Sequence, residues 1–215
     1  MTRPEKIEKK HLILCEGSDA VGFINNYLYS QCRERCNEIQ VANFGGNPDL
    51  RKFLELLRVT PGFSDLHSLL IIRDAEKDIR SALDQVRFAL KDYHFAMPKT
   101  QGEWEDGTPR TCFLLFPALG REIEAGTLED LCMSILAEPE VDKVTDRVDC
   151  FLDTLRQDGL RHFAYLHKTK LHTYFSVTNN FVTKNVGVAA KAGAFNWSHP
   201  NLDPLKDCLS KMEGE

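Results

Sequence analysis

Residues 69–78 read LLIIRDAEKD: four aliphatic residues run into Arg73 and then into three acids, Asp74, Glu76 and Asp78. A short apolar run bounded by polar residues is the pattern of a strand buried on both faces. Such strands belong to parallel sheets covered by helices on either side. HSLLIIRDA, residues 67–75, is thus the strongest strand of the chain. A burst of negative charge at its carboxyl end calls for either a solvated loop or a cation.

The flanking sequence repeats the rhythm. KKHLILCEG (9–17), EIQVANFGG (38–46) and TCFLLFPAL (111–119) read as three more strands. Between them lie helical periods. SDAVGFINNYLYSQCRER (18–35) opens on a Ser/Asp cap signal, and NPDLRKFLELLRVTPGF (47–63) on an Asn cap with Pro48 at the first helical position. KDIRSALDQVRFALKDY (77–93) carries apolar residues at Ile79, Leu83, Val86 and Leu90. The polar segment PKTQGEWEDGTPR (98–110) breaks the alternation before the fourth strand. TLEDLCMSILAE (127–138) starts a helix, with Thr127 as cap and Glu129 and Asp130 in the first turn, where acids suit the helix dipole. Beyond Pro139 the pattern is helical over 141–159 and 168–177. A Gly/Asn-rich loop follows, then a short last helix over 202–212.

This alternation predicts an α/β fold built on a mainly parallel sheet of about four strands, joined by right-handed crossovers. The expected division is an α/β core over 1–138 and a helical C-terminal extension over 139–215, packed on the core as one structural unit. Sheets of this kind carry their sites at the carboxyl ends of the strands. Glu16 ends the first strand and Asp74 the third, so the acids converge if those strands are neighbours. Asp74 and Glu76 are two apart, which puts them on one face of an extended chain. Asp78 extends the row, though helix onset turns it away. Crowded carboxylates stay ionised together only beside a cation. Mg²⁺ and Mn²⁺ prefer oxygen ligands of this type.

Composition narrows the class. The chain has 215 residues, 42% of them hydrophobic and 27% charged, which suits a globular protein with a core of its own. No apolar run approaches the roughly 20 residues that span a bilayer. The charged N-terminus lacks a signal-peptide pattern, so the expected location is the cytoplasm. Seven scattered cysteines without a Cys-x-x-Cys pair read as reduced thiols rather than a zinc site. The net charge of −5 argues against a general nucleic-acid coat, but residues 159–202 contain no acid and carry Arg161, Lys168, Lys170, Lys184 and Lys191. A basic stretch facing an acidic edge is suited to holding phosphate over a metal. His167 and His172 fit no helical ligand spacing and read as surface or packing residues. Trp197 reads as an aromatic that pins the tail to the core.

LCEGSDAVGFI (14–24) followed by LLIIRDAEKD resembles the Toprim signature, a Glu closing the first strand and an Asp-x-Asp-type motif closing a later one. GTLEDLCMSIL (126–136) and VGVAAKAGAFNWSHPNLDPLKDCL (186–209) resemble a stand-alone bacterial Toprim-like family. That family is related to the nuclease domain of the OLD (overcoming lysogenization defect) proteins. The resemblance implies a Toprim-like Rossmannoid fold and a two-metal nuclease that hydrolyses phosphodiesters of DNA or RNA with one or two Mg²⁺ or Mn²⁺ ions. It implies Glu16 as metal ligand or general acid/base, Asp74 and Glu76 as further ligands, and Glu129 with Asp130 as ligands of a second ion. Lys191 is the implied phosphate-stabilising lysine, with Lys168 and Lys170 as rivals. Two positions depart from the family pattern: Glu76 stands where a second Asp is usual, and Ala20 where a further acid is usual, leaving Asp19 one residue early. The departures keep open a second reading, an inactive Toprim-like module that binds phosphate or a partner. Nucleic acid and a second copy of the chain are the partners this reading allows.

Overall fold

A computed structural model describes residues 6–46, 49–120, 125–137 and 141–214. Its four strands are β1 (His11–Glu16), β2 (Ile39–Gly45), β3 (Ser68–Asp74) and β4 (Arg110–Phe116). They form one sheet in the order β2-β1-β3-β4, with every neighbouring pair parallel. The four segments with strand patterns are the four strands, and the α/β class holds. The helices are α1 (Gly17–Gln31), α2 (Asp49–Leu57), α3 (Ile79–Asp92), α4 (Leu128–Ser134), α5 (Val141–Gln157), α6 (Leu166–Ser176), α7 (Val186–Lys191) and α8 (Asp203–Ser210). Asn47 and Pro48, the expected cap and first residue of α2, lie outside the described residues.

Side chains alternate across the sheet, so each strand feeds two cores. Ile13, Cys15, Leu70, Ile72, Cys112 and Leu114 pack beneath α1, α4 and the C-terminal helices. Leu12, Leu14, Leu69, Ile71 and Phe113 pack beneath α2 and α3. The result is a three-layer, Rossmann-like arrangement. Among the described residues no helix is long and apolar enough to cross a membrane.

Two details differ from the sequence reading. The α1 helix starts at Gly17, so Ser18 and Asp19 lie in its first turn and the cap position falls to Glu16. The stretch read as a Gly/Asn-rich loop contains α7, capped by the Asn185 side chain, which accepts from Val188 N–H at 2.9 Å. Gly22 of α1 and Gly187 of α7 are where the two helices meet. A Cβ on Gly22 would lie 2.8 Å from Gly187 Cα. Asn26 Nδ2 ties the pair by donating to Gly22 O and Gly187 O. Glycine here serves close backbone approach rather than flexibility. Trp197 does pin the tail, with its ring 5.1 Å from that of Phe23 and 5.8 Å from that of Tyr27.

Candidate functional site

The strand order places β1 beside β3, so their carboxyl ends meet. Glu16 occupies the N-cap position of α1 but makes no capping bond with its side chain. Its Oε2 instead lies 3.4 Å from Asp74 N and 3.4 Å from Arg73 Nε. Both contacts are long for hydrogen bonds and orient Glu16 toward the end of β3. Arg73 is only 1% exposed. Its Nη1 donates to Gln85 Oε1 at 2.9 Å and its Nε to Asp74 O at 3.3 Å. A buried guanidinium persists only when paired in this way.

Asp74 Oδ1 accepts the Leu128 N–H at 2.9 Å, which joins the end of β3 to the start of α4. Burial pushes the Asp74 carboxyl up to about 8, opposed by the Leu128 hydrogen bond and reinforced by the charges of Glu16, Glu129 and Glu76. Those four carboxylates therefore share one electrostatic neighbourhood. Burial also pushes the Cys132 thiol well up, and the charges of Glu129, Asp19, Asp74 and Asp130 add to the effect. Asp19, in the first turn of α1, adds to the same electrostatic neighbourhood, whereas Ala20 is buried in the core.

Glu76 does not reach the site by strand alternation. The chain leaves β3 at Asp74, and Glu76 has φ 58°, a left-handed conformation uncommon outside glycine. It is held there by two backbone hydrogen bonds of 2.8 Å with Gly126, one in each direction. Gly126 itself has φ 142°, and a Cβ there would meet Asp130 Oδ2 at 2.6 Å. The expectation that Asp74 and Glu76 share a face of extended chain is corrected accordingly: a left-handed residue bridged to Gly126, not a continuing pleat, positions Glu76.

The start of α4 is a capping box of Thr127 and Asp130, as the sequence suggested for Thr127. Asp130 Oδ2 accepts from Thr127 N–H at 2.8 Å, and Oδ1 accepts from His167 Nδ1 at 2.7 Å. Both oxygens are engaged, so Asp130 orders the helix start and ties it to α6. Glu129 is 5% exposed, and Lys168 Nζ stands 3.6 Å from its Oε1. The basic stretch thus meets the acidic edge through α6.

The remaining candidates separate. Asp78 caps α3 by accepting from Ser81 N–H at 3.0 Å, and Lys170 pairs with Asp149 of α5 at 2.7 Å. Lys191 is exposed in the last turn of α7, and among the described residues no ion pair or hydrogen bond joins it to the carboxylates. Of the three lysines, Lys168 is the one brought to the acids. Sequence reasoning missed Arg73 and His167. An arginine inside an aliphatic strand was a legible sign of a buried ion pair. The partner of His167 lies 37 residues away and left no local signal.

Glu16, Asp74, Glu76 and Glu129 share one electrostatic neighbourhood beside Arg73 and Lys168, but among the described residues no three of them bring carboxylate oxygens within 4.8 Å of one another, and Glu76 is exposed. Carboxylate oxygens are hard donors that fit Mg²⁺ or Mn²⁺. A half-buried aspartate whose carboxyl is pushed up among like charges is the kind of group a divalent cation relieves. The profile of a family described as "Protein of unknown function (DUF3226)" matches residues 10–213. No curated protein and no solved structure matches the chain.

Proposed function

The chain belongs to the DUF3226 family, and on that premise we propose that it is a Toprim-like, Mg²⁺- or Mn²⁺-dependent phosphodiesterase acting on nucleic acid. One observation carries the reading: carboxylates from β1, β3, the segment after β3 and α4 share one electrostatic neighbourhood at the carboxyl edge of a parallel sheet. This is the edge where open α/β sheets hold their ligands. A bound Mg²⁺ or Mn²⁺ supplies Lewis acidity toward phosphate and an activated water. Glu16, Asp74 and Glu129 would supply oxygen ligands, and Glu76, bridged to Gly126, would flank them. Lys168, beside Glu129, takes the role first expected of Lys191 and offsets charge developing on the phosphate. Asp130 and His167 act as positioning residues that hold α4 against α6. The basic stretch from residue 159 onward supplies the charge that attracts a phosphate backbone.

A second reading has an observation of its own. Arg73 already partners Glu16 within the fold, which is what a site retained for phosphate or partner binding without catalysis needs. Plasmid nicking in Mg²⁺ or Mn²⁺, with calorimetric titration of the same ions, separates the two. Catalysis predicts metal-dependent nicking that is lost in Glu16→Gln and Asp74→Asn, with ion affinity weakened in both. Ion binding without nicking supports the second reading. Ion binding that survives Asp74→Asn overturns the ligand assignment.

A further inference from the structure

A different set of ligating side chains lies at the opposite edge of the sheet. His11 opens β1, Glu38 immediately precedes β2, and Glu213 follows α8. One ligand atom from each lies within 4.8 Å of the other two. We propose that His11, Glu38 and Glu213 form a Zn²⁺ site that clasps the C-terminal tail to the amino edge of the sheet.

The histidine is prepared as a ligand. It is 3% exposed, and its Nδ1 lies 2.8 Å from Ser68 Oγ, on the residue opposite it in the β1–β3 register. A ligating imidazole is commonly fixed by a hydrogen bond at its other nitrogen. With Nδ1 donating to the serine hydroxyl, the lone pair is on Nε2. Among the described residues Nε2 has no hydrogen-bond partner.

The carboxylates are placed by backbone as well as side chain. His11 N–H donates to Glu38 O at 3.2 Å, and Glu38 N–H donates to Arg35 O at 3.0 Å. The Glu38 carboxylate has no hydrogen bond or ion pair among the described residues. Glu213 Oε1 receives Arg35 Nη2 at 2.7 Å and Nε at 3.2 Å, and Arg35 Nη1 donates to Leu209 O at 2.8 Å. Arg35 therefore orients Glu213 as an outer partner and leaves its second oxygen for a metal. Donor atoms around a tetrahedral zinc sit about 3.4 Å apart at bond lengths of about 2.0–2.1 Å. The donors already lie within 4.8 Å of one another, and both carboxylates are on exposed side chains. Imidazole with carboxylates suits Zn²⁺ better than Mg²⁺, and three protein ligands leave one position for water.

The site is tested on the full chain after EDTA treatment, by calorimetric titration with ZnCl₂ and X-ray absorption at the zinc edge. The Asp74→Asn variant serves as a second background, so the outcome does not depend on the carboxyl-edge site. One zinc ion with a nitrogen/oxygen shell is expected in both. Glu38→Gln and Glu213→Gln, both surface changes that leave the fold intact, are each expected to weaken binding at least about tenfold. They should also abolish the zinc-induced rise in melting temperature. Absence of zinc binding, a sulfur-containing shell, or affinity unchanged in the Glu38→Gln/Glu213→Gln double variant overturns the site.

Discussion

The two edges of one sheet treat charge in opposite ways. At the carboxyl edge, Asp74 and Glu129 are drawn into the fold, and a fully buried Arg73 is brought in with them. At the amino edge, the buried group is a neutral-leaning histidine, while Glu38, Glu213 and Arg35 remain near solvent. Both edges collect ligating groups, yet only the first holds several carboxylates where water screens them poorly. Burial, rather than the number of acids, separates a strained site from a relaxed one, because the Coulomb energy between like charges grows as local polarity falls.

The sharpest way to break this contrast is at Arg73. Arg73→Ala strips Gln85 of a partner and Glu16 of its buried cation, and a buried pair broken on one side costs about 3–5 kcal/mol. For a chain of this size each kcal/mol shifts the melting temperature by roughly 2–4 °C. Thermal unfolding in EDTA checks the loss. A melting temperature within a degree or two of wild type would show that Arg73 is not holding the edge together.

A smaller effect of opposite sign is expected at Asp74. Its carboxyl titrates near pH 8 in the native state against 3.8 as the ordinary value. The stability contributed by the protonated native form is complete below pH about 4. It is lost as pH rises toward 8, because the unfolded chain releases its proton first. Asp74→Asn keeps the acceptor for Leu128 N–H and removes the titration. It should therefore stabilise the protein in EDTA by at least about 1 kcal/mol at pH 8, with little gain at pH 4. Equal shifts at both pH values would refute a raised Asp74 pKa. Added Mg²⁺ should protect wild type and not the variant.

The smallest effect belongs to the amino edge. Arg35→Ala removes a partly exposed ion pair to Glu213, and such pairs contribute little. Its melting shift should be well below that of Arg73→Ala. Its Glu213 contribution should disappear in about 1 M salt, where the screening length is about 3 Å. A shift as large as that of Arg73→Ala would erase the distinction between the edges.

How far the site could be read in advance follows the same physics. Glu16 and Asp74 were legible because each terminates a run of aliphatics, and a parallel sheet aligns such ends. Asp78 reads as turned away by helix onset, and the structure makes it the cap of α3. Glu76 was assigned to the right region for the wrong reason. Its left-handed backbone depends on Gly126, fifty residues on, and no pleat extends that far. Lys191 was preferred to Lys168 on resemblance, while the packing of α6 on α4 delivers Lys168. The α7 helix was overlooked because Gly187 lowers helix propensity, and its reason for being glycine is the backbone of α1.

By itself, then, the sequence determined the alternation of strands and helices, the parallel sheet, and the acids at its carboxyl edge. Those features follow from periodicity and from residues adjacent in the chain. Only the tertiary structure decided which cations meet those acids, how Glu76 is turned, and that His11, Glu38 and Glu213 gather from opposite ends of the chain. Pairings between distant segments are set by how layers pack, and packing leaves no periodic trace in either partner alone.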